Sequence, residues 1–403
     1  MSFLIGIIGK PSAGKSTFLN AACLTNAKVS ELPFTTIEPN KGVAYIKLKC
    51  VCKELNVKDN PKNSYCILGN RFIPINVLDV AGLVPDAHKG KGLGNRFLND
   101  LSTADVLIHI VDISGSLDKN GKRIKIGEND PYEDIIFLEN EINLWFKHIL
   151  EREDWNKFLK LFDREKKKFV GELYKRLSGI KVKKHQIGLA LKKSNLEDKN
   201  PSSWSDDELL IFSKNLRELS KPILILANKI DKENGMENFL KLKKKFNGDI
   251  MPCSSLAEYF LRKYHQEKKI DYLPGSDNFN ILVDRNLGKK ELEMLNKIQE
   301  MILNPFKETG VQKALNFAVF NILKQICVYP ISDINKYTDN NDNVLPDAFL
   351  VNKGTILRNF VRDKIHTDLA DHFIFGIDAR TKKRLGENHE LRHNDIVKIV
   401  SAK

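Results

Sequence analysis

The sequence predicts an α/β fold in which a mostly parallel sheet carries functional residues at the carboxyl ends of its strands. Short apolar runs recur along the chain, and each ends in a polar or glycine-rich loop with helical stretches between the runs. This alternation is typical of parallel sheets, whose ligands bind beyond the carboxyl ends of the strands. The apolar runs are Phe3–Ile8, Ile73–Leu78, Val106–Val111 and Ile223–Ala227.

Length and composition indicate a multidomain globular protein. The 403 residues exceed one typical core, and a hydrophobic content of 42% excludes wholesale disorder. No apolar run approaches the roughly 20 residues of a membrane helix, and the six cysteines accompany no secretory signal. We therefore expect a soluble, cytoplasmic protein with reduced thiols. The net charge of +13 favours an anionic partner such as RNA, with a solvated lysine-rich surface as the alternative.

The first motif along the chain is a phosphate-binding loop. The segment Gly9–Thr17 fits G-x-x-x-x-G-K-[ST], follows a predicted strand and opens a predicted helix. Its glycines let successive N–H groups face the β-phosphate, and the helix dipole adds to this attraction. Lys15 is expected to neutralise the β- and γ-phosphates and Ser16 to ligate Mg²⁺. The predicted contacts are Gly9, Ser12, Ala13, Gly14, Lys15, Ser16 and Thr17.

Two further motifs predict the rest of the phosphate and magnesium site. At a strand end, Asp79–Gly82 reads D-x-x-G, so Asp79 is expected to hold Mg²⁺ through water and the Gly82 N–H to meet the γ-phosphate. Between the two motifs, Thr36 is the predicted third magnesium ligand, with Thr35 as a substitute. The predicted metal ligands are thus Ser16, Thr36 and Asp79, and the predicted catalytic set is Lys15, Thr36 and Gly82.

The base is predicted to be guanine. In Asn228–Asp231, which reads N-K-x-D, the Asp231 carboxylate can accept from both the N1–H and the 2-amino group of guanine. Adenine offers neither donor, so it would leave polar groups unpaired. Asn228 is expected to tie this loop to the phosphate loop. The segment Cys253–Leu256 either brings N–H groups to guanine O6 or is an ordinary strand-to-helix cap. The predicted base-side contacts are Asn228, Lys229, Asp231, Ser254, Ser255 and Leu256.

Three additions enlarge this minimal domain. A hairpin is predicted between Gly42 and Asp79, with Gly69-Asn70 as its turn. The Lys-, Glu- and Leu-rich stretch up to Lys221 is predicted to be a hairpin of long helices, because its apolar residues share one helical face. Those residues are Phe158, Phe162, Phe169, Leu173 and Leu177, with the charged run Asp163–Lys168 between them. The predicted domains are a G domain in two parts (1–114, with the hairpin at about 43–72, and 221–326), a helical insertion (115–220) and a C-terminal domain (327–403).

Several of these segments resemble one protein family. Pro33–Asn40, Asp79–Pro85 and Lys91–Asn95 resemble the Obg superfamily, and the chain is most similar to its YchF-type branch in the archaeal/eukaryotic GTP-binding form. The resemblance implies a G domain, an inserted helical domain, a C-terminal TGS domain, and association with ribosomes or RNA. Many YchF proteins lack N-K-x-D and prefer ATP. Because this chain retains Asn228–Asp231, we expect GTP, with an ATP-using YchF-like ATPase as an alternative.

The same resemblance leaves the water-activating group open. Leu83 stands where many GTPases carry the glutamine that orients water, as in the hydrophobic-substituted GTPases. Hydrolysis must then draw on another group, a bound K⁺ or a partner's residue, and we expect slow intrinsic turnover. Related K⁺-activated GTPases place Asn where this chain has Ser12, which argues against K⁺ dependence. The ATPase-like branch carries a histidine where Asp100 stands here, and the nearby His88 is interpreted as a surface-loop residue.

The tail is predicted to be a β-grasp module. Ala348–Val351, Phe373–Ile377 and Ile396–Val400 have strand patterns, and Gly354-Thr355 supplies a turn and a helix N-cap. Leu357, Phe360, Val361 and Ile365 share the face of the following helix. Ile365–Asp368 and Asp378–Thr381 resemble the TGS domain of threonyl-tRNA synthetases and Rel/SpoT proteins, and His366 is interpreted as a packed or capping residue. The basic residues favour an RNA-backbone footprint over a merely solvated face: Arg358, Arg362, Lys364, Arg380, Lys382, Lys383 and Arg384.

A zinc site and two other function classes remain open. Cys50, Cys52 and Cys66 lie on the predicted hairpin, but structural zinc wants four ligands and the sequence offers no evident fourth. The leading hypothesis is a monomeric GTPase switch in which nucleotide orders the segments Pro33–Gly42 and Gly82–Asn95. The alternatives are an RNA- or ribosome-binding protein in which hydrolysis is incidental, and a P-loop small-molecule kinase.

Overall fold

The computed structural model describes residues 3–24, 41–80, 100–151, 154–163, 166–282 and 287–402. These residues form two compact units. The first contains Phe3–Ala21 and Val77–Ala314, and the second contains Ala22–Asn76 and Leu315–Lys403. Each unit therefore combines segments that are far apart in the sequence.

The strands, numbered in chain order, are short and mostly buried. They are β1 (Leu4–Ile8), β2 (Lys41–Lys49), β3 (Tyr65–Ile67), β4 (Asn70–Asp79), β5 (Val106–Asp112), β6 (Ile223–Asn228), β7 (Ile250–Cys253), β8 (Ile270–Asp271), β9 (Asn280–Ile281), β10 (Gln325–Ile331), β11 (Phe349–Asn352), β12 (Phe373–Asp378), β13 (Arg384–Leu385) and β14 (Asp395–Ser401).

The helices vary more in length. They are α1 (Lys15–Cys23), α2 (Val51–Glu54), α3 (Pro131–Leu150), α4 (Trp155–Phe162), α5 (Lys166–Leu177), α6 (Lys184–Lys193), α7 (Asp206–Ser220), α8 (Gly235–Lys245), α9 (Ser255–Gln266), α10 (Lys289–Ile298), α11 (Asn304–Phe306), α12 (Val311–Asn316), α13 (Leu357–Phe360) and α14 (Thr367–Asp371). The π-helical segments Gln299–Leu303, Phe317–Ile322 and Val361–Ile365 continue α10, α12 and α13.

The first unit is built on a parallel sheet. Its strands run in the order β1-β5-β6-β7, with the end of β4 beside β1. All seven residues of β5 are buried, as expected for a strand covered on both faces. The predicted α/β fold is therefore confirmed, and the four predicted apolar runs correspond to β1, β4, β5 and β6.

The connection between β5 and β6 is a helical insertion, but it is not the predicted hairpin of long helices. Only α3, among its described helices, reaches twenty residues. The phenylalanines predicted to share one face do pack in one core, but they lie on α4 and α5. The helix breaks within the charged run: α4 ends at Phe162, and the Asp163 carboxylate accepts from the Ser202 backbone N–H at 3.0 Å. Spacings of four and seven residues fit one face of a continuous helix, so the periodicity gave no sign of this break.

The middle of β5 contains a histidine that should make the fold sensitive to acid. His109 is fully buried, and its Nδ1 has no hydrogen-bond partner within the described residues. Burial, followed by the charges of Lys15 and Lys10, lowers the pKa of His109 from 6.5 to about 3. Between these values the unfolded chain binds a proton that the folded chain does not. Stability is therefore lost as pH falls below 6.5.

We expect the free energy of unfolding to fall by about 2 kcal/mol between pH 7 and pH 5 through this histidine alone. The measurement is urea unfolding at both pH values. His109→Gln should flatten the pH dependence by that amount, whereas His185→Gln, at an exposed position on α6, should leave it unchanged. An unaltered slope in His109→Gln would show that His109 does not control acid stability.

The second unit contains a hairpin region and the C-terminal module. Strand β3 pairs antiparallel with the first part of β4, and the C-terminal sheet runs in the order β11-β10-β14-β12-β13. Leu357, Phe360 and Val361 are buried on the helix that packs against this sheet, as predicted. The β-grasp prediction is confirmed.

One turn and one helix N-cap in this unit lie one residue away from their predicted positions. The hairpin turn is Leu68-Gly69, both with positive φ (51° and 77°), because Asn70 already pairs with Ile67 in the ladder. Thr355 is not the helix N-cap: Ile356 occupies that position, and the Thr355 hydroxyl donates to the Asn352 carbonyl at 2.7 Å. His366 does cap α14, since its Nδ1 accepts from the Asp368 N–H at 3.2 Å.

Within the described part of the chain, no helix combines the length and the apolar character needed to cross a membrane.

Candidate functional site

A cavity of about 520 Å³ lies where the strands of the parallel sheet end. Its walls come from the loops that follow β1, β5, β6 and β7, which is the position expected for a ligand in such a sheet. Its lining residues are Ser12, Gly14, Thr17, Ser114, Ser116, Arg123, Ile124, Ile126, Asn228, Lys229, Asp231, Lys232, Ser254 and Leu256. Predicted phosphate-loop residues and predicted base-loop residues therefore face one space.

The phosphate loop connects β1 to α1 in a conformation that requires glycine. Gly14 has φ +107°, and a Cβ at this position would collide with the amide nitrogen of Asn228. The Lys15 ammonium donates to the carbonyls of Gly9 and Lys10, at 3.0 Å each, so it is held over the loop. Burial lowers the pKa of Lys15, and the charge of Asp79 partly opposes this effect. The loop thus presents a partly desolvated cation where phosphate charge is expected.

Ser16 and Asp79 meet at the end of the sheet. The Ser16 hydroxyl donates to Asp79 Oδ2 at 3.2 Å. The other carboxylate oxygen, Oδ1, is buried and has no hydrogen-bond partner among the described residues. A buried carboxylate oxygen without a partner is costly, and oxygen ligands of this kind suit Mg²⁺ or a water bound to it. These two residues therefore fit the predicted magnesium site.

Part of the predicted site lies outside the described residues. This applies to Thr36 and its substitute Thr35, to Gly82, and to Leu83 and His88. Asp100, where the ATPase-like branch carries a histidine, is described: it lies in a helical turn, and its carbonyl accepts from the Thr103 hydroxyl at 2.8 Å.

Asn228 joins three loops, as the sequence predicted for the first two. Its side-chain nitrogen donates to the Ala13 carbonyl at 2.9 Å, and its side-chain oxygen accepts from the Ser255 N–H at 3.0 Å. The residue is buried, so both bonds are shielded from water. This side chain therefore holds the phosphate loop, the N-K-x-D loop and the start of α9 in one fixed arrangement.

An anionic anchor beneath the base loop was not predicted. The Asp112 carboxylate accepts from the hydroxyls of Ser114 and Ser116, at 2.6 Å each, and from the Lys229 ammonium at 2.9 Å. Although burial is the largest effect and raises the pKa of Asp112, these hydrogen bonds together hold it below its ordinary value. The contact with Asp112 fixes the position of the Lys229 side chain, which lines the cavity. Asp231 also lines the cavity and is half-buried. The sequence feature that could have identified Asp112 as a site residue is its position at the end of a predicted strand.

The loop before α9 is the strand-to-helix cap that the sequence offered as one interpretation, and the contact with guanine O6 stays a prediction. Ser254 and Leu256 line the cavity, and the Ser254 hydroxyl also caps α9 by accepting from the Ala257 N–H at 3.4 Å. Ser255 lies behind this wall, where it contacts Asn228. The segment is therefore a helix cap and a cavity wall at once.

The first residues of the insertion form the remaining wall, which sequence reasoning missed. Arg123, Ile124 and Ile126 line the cavity, in a loop closed by an antiparallel bridge between Leu117 and Arg123. The Asp118 carboxylate stabilises this loop by accepting from the N–H groups of Asn120 and Lys122. The loop has neither helical nor strand periodicity, so no pattern in the sequence indicated that it faces the site.

A buried ion pair connects the phosphate loop to this insertion. The Lys10 ammonium contacts the Asp134 carboxylate in the first turn of α3, and the two side chains are 7% and 5% exposed. Lys10 also donates to the Asp118 carbonyl at 3.1 Å, and Asn129 donates to Asp134 at 3.0 Å. Burial raises the pKa of Asp134, while Lys10 and Asn129 oppose that effect. The phosphate loop is thus anchored on both sides, by Asn228 and by the insertion.

Three of the predicted basic residues of the C-terminal module have carboxylate partners. Arg380 contacts Glu54 and Arg358 contacts Glu387, at 2.5 and 2.7 Å, and Arg362 lies 3.6 Å from Asp363. These arginines are thereby partly neutralised. The basic face is consequently less positive than the sequence suggests.

Comparisons with known proteins agree with this arrangement. Residues 4–141 match a family model described as 50S ribosome-binding GTPase, and residues 342–401 match the TGS domain. Residues 226–333 match a model described as Obg-like GTPase YGR210-like, G4 motif-containing domain. The regions matched are the phosphate loop with the start of the insertion, the base-loop region, and the C-terminal module.

Similar proteins extend over the whole chain. An uncharacterized GTP-binding protein of Methanocaldococcus jannaschii is 43% identical over 400 residues, with 99% of each chain covered. Obg-like ATPase 1 of Caenorhabditis elegans is 32% identical over 382 residues, with 92% of this chain and 80% of that protein covered.

Solved structures match the fold as well. The crystal structure of a GTP-binding protein from Pyrococcus horikoshii matches with a TM-score of 0.77 at 37% identity, covering 100% of both chains. The YchF GTPase of Schizosaccharomyces pombe has a TM-score of 0.60 at 18% identity, covering 99% of this chain and 98% of that one, a likeness in fold alone.

Proposed function

Because this chain belongs to the Obg-like GTPase family, in its YchF-type branch, we propose that it binds GTP with Mg²⁺ and hydrolyses it slowly to GDP and phosphate. We further propose that it works as a nucleotide-controlled switch on the ribosome or on structured RNA in the cytoplasm. The observation that carries the proposal is the Asn228 clamp, which holds the phosphate loop and the Asp231 loop against one cavity.

The described residues divide the work of binding. Lys15 and the loop N–H groups would attract the phosphates, and Asp231 would accept from the guanine edge. Ser16 and Asp79 would hold Mg²⁺, which when bound supplies positive charge to the phosphate oxygens. The Asn228 and Lys10 contacts keep the loop in its binding geometry before any ligand arrives, which reduces the ordering cost of binding.

The proposed hydrolysis step requires residues that lie outside the described part of the chain. Thr36 and Gly82 are proposed to contact the Mg²⁺ and the γ-phosphate, and Leu83 cannot orient water. We therefore propose that a partner raises a slow intrinsic rate, since a supplied arginine is worth about 10³–10⁵ in rate. Ser12 is a shorter cation ligand than the asparagine of K⁺-activated relatives, and it argues against K⁺ as the activator.

The proposed partner is a ribosome or structured RNA. Support comes from the net charge of +13, from the family model described as 50S ribosome-binding GTPase, and from the TGS domain. If ribosomes or RNA leave the hydrolysis rate unchanged, the alternative of an RNA-binding protein with incidental turnover gains support.

The proposal predicts a GTP preference that depends on Asp231. In Asp231→Ala we expect GTP affinity to fall by about 100-fold, because two hydrogen bonds to a charged acceptor are lost. ATP affinity should stay weak and unchanged. The measurement is titration with fluorescent GTP and ATP analogues, and Glu233→Ala, at an exposed position two residues on, is the matched control.

Equal binding of the two nucleotides, unmoved by the mutation, would contradict guanine selection. That outcome would favour the ATP-using alternative, in keeping with the name of the Caenorhabditis elegans relative. Failure of both nucleotides to bind would contradict the proposal as a whole.

A further inference from the structure

Four side chains of types that ligate metals converge beside the turn of the hairpin in the second unit. They are Cys50, Cys52, Asp59 and Cys66, and their ligand atoms all lie within 4.8 Å of one another. Cys50 Sγ is 3.2 Å from Asp59 Oδ2, and the sulfurs of Cys52 and Cys66 are 3.9 Å apart. The nucleotide site uses none of these residues.

The spacings match a shared tetrahedral ion. Two thiolates at about 2.3 Å from zinc occupy tetrahedral corners roughly 3.8 Å apart, and a thiolate and a carboxylate lie roughly 3.5 Å apart. A disulfide would instead bring two sulfurs to about 2.05 Å. All three cysteines are free thiols, and those of Cys50 and Cys52 are buried. The four groups are thus arranged for a common ligand rather than for a pairwise bond.

The local fold brings the four donors together. Cys50 precedes α2, and its N–H donates to the Gly69 carbonyl at 2.9 Å, across the hairpin turn. After α2, Asn56 turns the chain with φ +51°, and the Val57 N–H donates to the Cys52 carbonyl at 3.0 Å. Cys66 lies on β3, directly opposite Arg71 on β4.

Arg71 supplies the support that a ligating carboxylate needs. Its fully buried guanidinium donates to Asp59 Oδ2 at 3.0 Å and to the Ser64 hydroxyl at 2.8 Å, which orients the carboxylate toward the cysteines. Groups of this kind commonly fix the orientation of metal ligands. Three thiolates and one carboxylate carry four negative charges, which a divalent ion and Arg71 together reduce to one.

We propose that Cys50, Cys52, Asp59 and Cys66 bind a structural Zn²⁺ ion. The set of four protein donors leaves no open position, so the site is structural rather than catalytic. The missing fourth ligand of the sequence analysis is therefore a carboxylate, seven residues beyond Cys52. Sulfur donors favour zinc over magnesium or calcium.

The ion would stabilise the loop that joins the hairpin to the C-terminal module. Within this unit, the Asn60 and Lys62 N–H groups donate to the carbonyls of Val344 and Pro346, at 2.8 and 2.7 Å. Arg71, which holds Asp59, also donates to the Leu345 carbonyl at 2.7 Å. The first two contacts start from the segment between Asp59 and Cys66, so zinc at the two ends of that segment would hold it in position to make them.

The test is metal content and cobalt spectroscopy of the full chain, purified from zinc-supplemented medium. We expect one zinc per chain, and, after replacement by Co²⁺, the thiolate charge-transfer and d–d absorption of a tetrahedral site. Cys66→Ser should lose both signals, whereas the matched control Cys23→Ser, a thiol outside the cluster, should keep both. Asp59→Cys should retain zinc and strengthen the charge-transfer band, because a fourth thiolate replaces oxygen.

The proposal would be overturned if wild-type protein took up neither zinc nor tetrahedral Co²⁺. It would also be overturned if the Co²⁺ spectrum of Cys66→Ser equalled that of wild type. A third contradicting result is a Cys52–Cys66 disulfide, found by mass spectrometry in metal-free wild-type protein. An Asp59→Cys spectrum identical to that of wild type would also count against it. Because Asp59→Cys keeps four donors, the spectrum of this variant tests the proposal even if Cys66→Ser fails to fold.

Discussion

Replacing Lys10 by methionine is expected to lower the free energy of unfolding by about 3–5 kcal/mol, as found when one partner of a buried ion pair is removed. The variant leaves the Asp134 carboxylate buried in the first turn of α3, with Asn129 as its remaining donor among the described residues. Burial already raises the pKa of Asp134, and removal of Lys10 takes away the charge that opposes this rise. Urea unfolding at pH 7 measures the loss.

A double-mutant cycle separates the pair from its surroundings. Lys10→Met combined with Asp134→Leu removes both charges, and it should recover most of the stability that either single variant loses. Lys122→Met, at an exposed position in the same loop region, is the control and should cost less than about 0.5 kcal/mol. If the single and double variants lose equal stability, the pair does not couple the phosphate loop to the insertion.

Substituting Asp79 with asparagine is expected to abolish the effect of Mg²⁺ on GTP binding. Asp79 Oδ1 is buried and has no hydrogen-bond partner in the described part of the chain, and Oδ2 accepts from the Ser16 hydroxyl. The carboxylate therefore supplies the negative charge of the proposed metal site. Loss of a charge-assisted contact of this kind is worth about 1.5–3 kcal/mol, or roughly 10–100-fold in affinity. Titration of GTP in Mg²⁺ and in a chelator measures the difference.

The chelator provides the internal comparison. Wild type and Asp79→Asn should bind GTP equally without Mg²⁺, and only wild type should gain affinity when Mg²⁺ is added. Asp249→Asn, exposed just before β7 at the opposite end of the sheet, should behave as wild type. A variant that still gains affinity with Mg²⁺ would exclude Asp79 from the metal site.

Local pattern was enough to predict the sheet and the principal motifs. The runs that became β1 and β6 are apolar throughout, and the run of β5 is apolar apart from His109, because both faces of these strands are covered. The phosphate loop is a continuous segment. The contact between Asn228 and the phosphate loop was predictable because the asparagine of an N-K-x-D motif has a fixed role. Features that are encoded in one continuous segment of the sequence were therefore predicted.

Partners that are distant in sequence were not predicted. Lys10 and Asp134 are 124 residues apart, and no property of either residue alone indicates the other. Asp59 was missed because a carboxylate in a polar stretch is indistinguishable from a solvated one until Cys50 and Arg71 are placed beside it. The helix break after Phe162 lies at Asp163, whose carboxylate accepts from the Ser202 N–H thirty-nine residues later.

The Asn228 clamp and the Arg71 contact also dictate an order of events while the chain is being synthesised. Ala13 emerges from the ribosome 215 residues before Asn228, and Arg71 emerges 274 residues before Leu345. The amino-terminal phosphate loop can therefore be held in place only after β6 and the start of α9 have been synthesised. The hairpin of β3 and β4 can form its C-terminal contacts only after almost the whole chain has been synthesised. Nucleotide capture by a nascent chain should begin only after residue 255 has emerged. A chain cut short before Leu345 would keep the nucleotide unit yet leave the hairpin without its C-terminal support.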